Sequence, residues 1–161
     1  MWNGTRLLAE TIAKGIKQKD VQVTVKIYHI ARSDINDVVT EIFKSKAVLL
    51  VSPTINRGIL AAMASLIDMM TGLKFKNKKA AAFGCYGWSG ESVKVLNEAL
   101  TKAGFSVVNE GLKALWQPGE EALSQALEFG RALTVQLFRR ERKLRIHFVI
   151  PVVFIPECIM G

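Results

Sequence analysis

The chain has 161 residues, half of them hydrophobic and 22% charged, which is enough apolar material for one domain with a real core and excludes a disordered or low-complexity polymer. Two His and two Cys exclude a multi-histidine metal centre and a disulfide framework, and Cys85 and Cys158 form no CxxC pair for a zinc or rubredoxin-type iron site. The net charge of +8 points towards an acidic or nucleic-acid partner, but half of the excess sits in residues 139–145 (RRERKLR), with five positive charges against one negative.

The elements alternate along the chain. Residues 5–19 place Leu8, Ile12 and Ile16 on one helix face. Val21, Val23, Val25, Ile27 and His29 alternate with polar residues, as in a strand with one polar face. A helix over 33–44 opens with Ser33 as cap and carries Ile35, Val38, Val39 and Ile42 at helical spacing. Ala47–Val51 is continuously apolar and stops at Ser-Pro, the pattern of a strand buried on both faces. A helix over 58–70 follows, then a short buried strand over 80–83 ended by Gly84. A helix over 89–103 closes at Gly104. Residues 105–108 and Leu112–Leu115 make an interrupted strand. A long helix over 118–138 has Pro at its first turn. This order predicts an α/β fold: a doubly wound parallel sheet with helices on both faces, three layers αβα. The chain opens on a helix where such a fold normally opens on a strand. No apolar leader pattern is seen, so no signal peptide is expected. The longest apolar stretch, 146–155, contains a Pro and is half the ~20 residues that a spanning helix needs. A soluble, cytoplasmic protein is expected.

Ligands in open α/β sheets sit beyond the carboxyl ends of the strands, and three loops there carry chemistry. Met1, Trp2, Asn3, Gly4 and Thr5 precede the first helix; Gly4 allows a tight turn, and amides at a helix start favour an anion such as phosphate. An ordinary helix cap reads the same way. Ser52, Pro53, Thr54, Ile55, Asn56 and Gly58 follow the buried strand: Pro53 stiffens a loop rich in hydrogen-bonding groups, or the loop is a plain connection. Gly84, Cys85, Tyr86, Gly87, Trp88, Ser89 and Gly90 form an aromatic, glycine-rich loop. Either a flat ligand covers Trp88, or Trp88 folds back on the sheet edge. An anion cradle, a rigid polar loop and an aromatic loop suit a phosphorylated planar cofactor. No GxGxxG with a following acidic residue is present, so FMN fits better than NAD. No catalytic side chain or metal ligand is expected, and neither His29 nor His147 lies in a nucleophile motif.

The segments MWNGTRLLAETIAKGI, SPTINRGIL, GLKFKNKKAAAFG and GCYGWSGESVKVL occur in that order. In these the chain resembles the FMN-binding flavodoxin-like domain of flavodiiron proteins, the family that includes flavorubredoxin nitric oxide reductases. The likeness covers residues 1 to about 138. It implies strand order 2-1-3-4-5 and an FMN that takes electrons from a rubredoxin or flavin reductase. The electrons pass to a di-iron centre that reduces oxygen or nitric oxide. It also implies phosphate at residues 1–5 and the ring between residues 52–58 and 84–90. The sequence departs from the family at Cys85, where Ser is usual, with a thiol expected to be partly exposed. It carries no di-iron domain, so the acceptor would lie on another chain. The first strand of the family also has no counterpart ahead of residue 1.

Loss of that strand would strip about five buried side chains at roughly 1.5–3 kcal/mol each, comparable with the ~5–15 kcal/mol that holds a domain together. Two readings of 139–161 follow. The β-branched and aromatic residues 146–150 could enter the sheet in its place, with Pro151 marking the strand's end. Otherwise 139–161 is a non-homologous basic and apolar tail to a domain of 1–138. The functions weighed are an FMN electron-transfer module, a truncated fragment without activity, and a flavin-dependent NAD(P)H or quinone oxidoreductase. Nucleic-acid binding through 139–145 is disfavoured, as is a membrane. Lys74, Lys76, Lys78 and Lys79 form either a solvated loop or a dock for an acidic electron donor.

Overall fold

The computed structural model describes residues 3–20, 22–138 and 147–152. The elements are α1 (Gly4–Lys19), β1 (Thr24–His29), α2 (Ile35–Lys44), β2 (Ala47–Val51), α3 (Ala61–Leu73), β3 (Lys79–Tyr86), α4 (Ser92–Lys102), β4 (Ser106–Val107), β5 (Leu112–Leu115), α5 (Glu120–Phe138) and β6 (His147–Val152). All strand pairings are parallel, in the order β1-β6-β2-β3-β4. β5 pairs with β3 beyond β4, so β4 and β5 are two halves of one interrupted edge strand, as the sequence predicts.

The two-residue period of the central strands sorts their side chains into two cores. Leu49 and Val51 of β2, with Ala81, Phe83 and Cys85 of β3, face Leu8, Ile12 and Ile16 of α1 and Ala126 and Leu133 of α5. Val48, Leu50, Ala80 and Ala82 face the opposite side, against Val38 and Ile42 of α2, Met63, Leu66 and Met70 of α3, and Leu96 and Leu100 of α4. The result is the expected three-layer αβα stack. α1 and α5 cross at glycines: a Cβ on Gly15 would stand 2.2 Å from the Leu127 carbonyl oxygen, and one on Gly130 2.3 Å from that of Ile12.

β6 occupies the slot between β1 and β2, the place of the first strand in a 2-1-3-4-5 order. Thr24 to His29 pair in register with His147 to Val152. On the other side Ala47 pairs with Phe148 and Val48 with Val149, and the ladder resumes at Val51 with Val152. The break spans Ile150 and Pro151, where proline has no amide to donate. The strand therefore runs through Pro151 to Val152 and does not end at the proline. Ile150 is completely buried in the α1/α5 core. Residues 139–146 and 153–161, including the RRERKLR run and Ile146, lie outside the described residues.

Other boundaries shift for local reasons. Asp34, not Ser33, caps α2, its carboxylate accepting from the Asn36 amide at 2.8 Å. α3 starts at Ala61 because a tight turn at 55–58 comes first. β3 runs on through Gly84 to Tyr86. Ile27 of the edge strand β1 is 42% exposed, so the alternation there does not bury every apolar residue.

Candidate functional site

The three loops converge at the carboxyl end of the sheet. After β2, the Thr54 amide donates to the Cys85 carbonyl at 2.9 Å. The Thr54 hydroxyl donates to Ser92 Oγ at 2.9 Å and accepts from the Ser92 amide at 3.2 Å. These bonds tie the second loop to β3 and to the start of α4. Ser52 is fully buried; its hydroxyl donates to the Pro53 carbonyl at 2.9 Å and accepts from the Leu60 amide at 3.2 Å. Ser52 and Pro53 therefore brace the loop from behind. Its tip is a two-residue turn with Asn56 and Arg57 at φ 49° and 59°, closed by the Gly58 amide on the Ile55 carbonyl at 2.8 Å. Two successive left-handed residues match the I′ geometry.

The third loop is shorter than the sequence suggests, because Gly84, Cys85 and Tyr86 belong to β3. Gly84 is required there: a Cβ would stand 2.3 Å from the Ser52 carbonyl oxygen. Cys85 is fully buried rather than partly exposed, and burial pushes its thiol up to about 12. The Tyr86 ring lies under Gly90, where a Cβ would come within 3.2 Å of Tyr86 Cγ at a φ of 68°. Trp88 does not fold back on the sheet; it is 88% exposed and meets Trp116 edge-on, with centroids 5.4 Å apart.

Met1 and Trp2 of the first loop lie outside the described residues. Asn3 is left-handed, with φ 53° and ψ 6°, and Gly4 begins α1. This succession aims consecutive amides to one side, an anion-binding nest, at the positive end of a helix. The first turn holds no acidic residue, and Thr5 is buried. A Cβ on Gly4 would lie 3.1 Å from Cys85 Sγ and 3.3 Å from the Trp116 carbonyl oxygen, so the helix start adjoins the end of β3.

Between the loops opens a cleft of about 480 Å³ lined by Thr54, Ile55, Asn56, Arg57, Gly87, Trp88, Ser89 and Trp116, within the ~300–1,000 Å³ common for cofactor sites. Arg57, inside the 52–58 loop but not singled out there, and Trp116, outside all three loops, add to the sequence-based candidates. Trp116 had a legible signal, an aromatic directly after a strand at the ligand end of the sheet. Ser52, Pro53, Gly84, Cys85, Tyr86, Gly58 and Gly90 do not line the cleft, and neither do Asn3, Gly4 and Thr5 of the first loop, which reaches it only where Gly4 adjoins the Trp116 backbone. The Ser89 hydroxyl donates to Glu91 at 2.6 Å. That bond, chiefly, holds the Glu91 carboxyl below its usual range, with smaller help from Arg57 and Lys113. Among the described residues no group of metal-ligating side chains is found. The lysine cluster stands at the far end of the sheet. Lys79 opens β3 and Tyr86 closes it, which at ~3.3 Å per residue separates the lysines from the cleft by roughly 23 Å.

A parallel αβα sheet with a phosphate-suited helix start and an aromatic cleft at its carboxyl end defines a flavodoxin-like protein. Residues 1–130 match the Flavodoxin family, and the chain belongs to it. FMN is the cofactor of that family. Within it, the chain is similar to the flavodoxin-like part of flavodiiron proteins. It is 46% identical over 136 residues to the anaerobic nitric oxide reductase flavorubredoxin of Shigella dysenteriae, covering 84% of this chain but 28% of that protein. It superposes on rubredoxin oxygen:oxidoreductase from Desulfovibrio gigas with a TM-score of 0.77 and 34% identity, over 86% of this chain and 35% of that one. The flavodiiron protein of Giardia intestinalis gives 0.78 and 27%, over 86% and 34%. The chain thus spans about a third or less of these relatives. Among the described residues no helix is long and apolar enough to cross a membrane.

The residues present fit FMN: amides at the α1 start suit its phosphate, and a cleft walled by two exposed tryptophans suits its planar ring.

Proposed function

We propose that the chain is an FMN-binding electron-transfer module serving a di-iron oxygen or nitric oxide reductase centre. The observation that supports this best is the cleft itself, where Trp88 and Trp116 stand exposed beside the α1 N-terminus. When bound, FMN supplies reversible electron uptake, and the protein supplies grip and orientation. In this reading Met1, Trp2, Asn3, Gly4 and Thr5 cradle the phosphate. Thr54, Ile55 and Asn56 meet one border of the ring, while Gly87, Trp88, Ser89 and Trp116 meet the other. Ser52, Pro53, Gly58, Gly84, Cys85, Tyr86 and Gly90 hold those loops in register. No side chain performs covalent chemistry. The folded unit of 1–138 takes its sixth strand from the segment that follows it.

The electron donor is of the rubredoxin or flavin-reductase kind and meets the exposed Trp88 rim, not the distant lysines. Neither nucleic acid nor a membrane is a partner, and the setting is cytoplasmic. The test is titration of the purified chain with FMN. Flavin fluorescence should quench with one FMN retained per chain after desalting, and riboflavin, which lacks the phosphate, should bind more weakly. Unquenched FMN that washes away would overturn the reading.

A further inference from the structure

We infer that Arg57 is the residue that tunes the redox poise of this site, by favouring the reduced, more negatively charged form of the bound flavin. The inference rests on the reading of the cleft as the flavin-ring site. Arg57 is the one charged residue among those lining the cleft. It sits at the tip of a turn whose geometry leaves its side chain little choice of base. Asn56 and Arg57 are both left-handed, and the turn is closed by the Ile55 and Gly58 backbone bonds at 3.3 and 2.8 Å. Thr54 anchors that turn to β3 and α4. An arginine is an unfavourable choice for a left-handed position that Asn or Gly fills with less strain, so the turn alone does not account for it.

The neighbouring acid feels Arg57 but does not pair with it. Glu91 is engaged first by Ser89, with no ion pair to Arg57 among those in the described residues. A guanidinium is a fixed cation. Reduction of the flavin by two electrons and one proton adds one negative charge to the ring, and a fixed cation beside it lowers the free energy of that state more than of the oxidised one. Arg57 is therefore a tuning residue rather than a catalytic one, and it takes no proton or electron itself.

The experiment measures the dissociation constants of oxidised FMN and of dithionite-reduced FMN under argon, for the whole chain, Arg57→Gln and Arg57→Lys. The ratio of oxidised to reduced constants should fall three- to tenfold in Arg57→Gln and stay near the parent value in Arg57→Lys; tenfold corresponds to about 30 mV for a two-electron couple. The difference should shrink between about 20 mM and about 0.5 M salt, since Arg57 is exposed and the Debye length falls from roughly 20 to roughly 4 Å. A ratio that changes less than threefold in Arg57→Gln overturns the inference and leaves the FMN reading standing. So does equal weakening of both redox forms with riboflavin binding untouched, which would place Arg57 on the phosphate. Failure of the unsubstituted chain to bind FMN in either form overturns the reading and the inference together.

Discussion

Cys85 illustrates how burial overrides residue chemistry. A cysteine next to a cofactor loop reads as reactive, yet this one lies inside the α1/α5 core, and desolvation raises its thiol from an ordinary 9.0 to about 12. The thiolate, not the thiol, is the nucleophile, so the folded chain protects it. Iodoacetamide at pH 8 should leave Cys85 unmodified until urea unfolds the protein, as peptide mass spectrometry would register. The linkage has a definite sign. The unfolded thiol loses its proton above pH 9 while the folded one does not, so stability falls as pH rises from 9 towards 12. Denaturation midpoints at pH 8 and pH 10.5 should show this fall, and Cys85→Ala should reduce it.

Among the elements, α1 and α5 decide how tightly one face of the sheet is covered. Their backbones touch at Gly15 and Gly130, which a periodicity argument does not detect because glycine contributes nothing to an apolar stripe. Gly130→Ala places a methyl 2.3 Å from the Ile12 carbonyl oxygen, and the helices must part. We expect a loss of about 1–3 kcal/mol in urea denaturation, the usual range for overpacking. Gly72→Ala is the control: no atom lies within 4 Å of its added Cβ, and at the second-to-last position of α3 no loss and at most a gain of about 0.5 kcal/mol from helix propensity is expected. Equal effects at the two sites would refute the close crossing.

For the molecule as a whole, β6 is the decisive element. It separates β1 from β2, which have no direct pairing, so without it the sheet divides. Removing residues 146–161 should abolish cooperative unfolding, monitored by near-ultraviolet circular dichroism; a shortened chain with the parent melting temperature would refute this role. A milder probe is Ile150→Ala, expected to cost about 2–5 kcal/mol at a fully buried site.

The layered α/β architecture, the buried central strands, the split edge strand and the three ligand-end loops were all legible in the residues, because apolar period and glycine-proline punctuation are local properties of the chain. So was the candidacy of 146–150 as a strand. Local pattern could not choose between that strand and a loose tail, since the choice depends on an open slot between two strands far away in sequence. It also could not see that β3 carries Cys85 inward, or that Trp116, from the connection after β5, meets Trp88 edge-on at the cleft. Those facts follow from long-range pairing, in which each strand's place is decided by the backbone groups and apolar faces its neighbours leave to be covered.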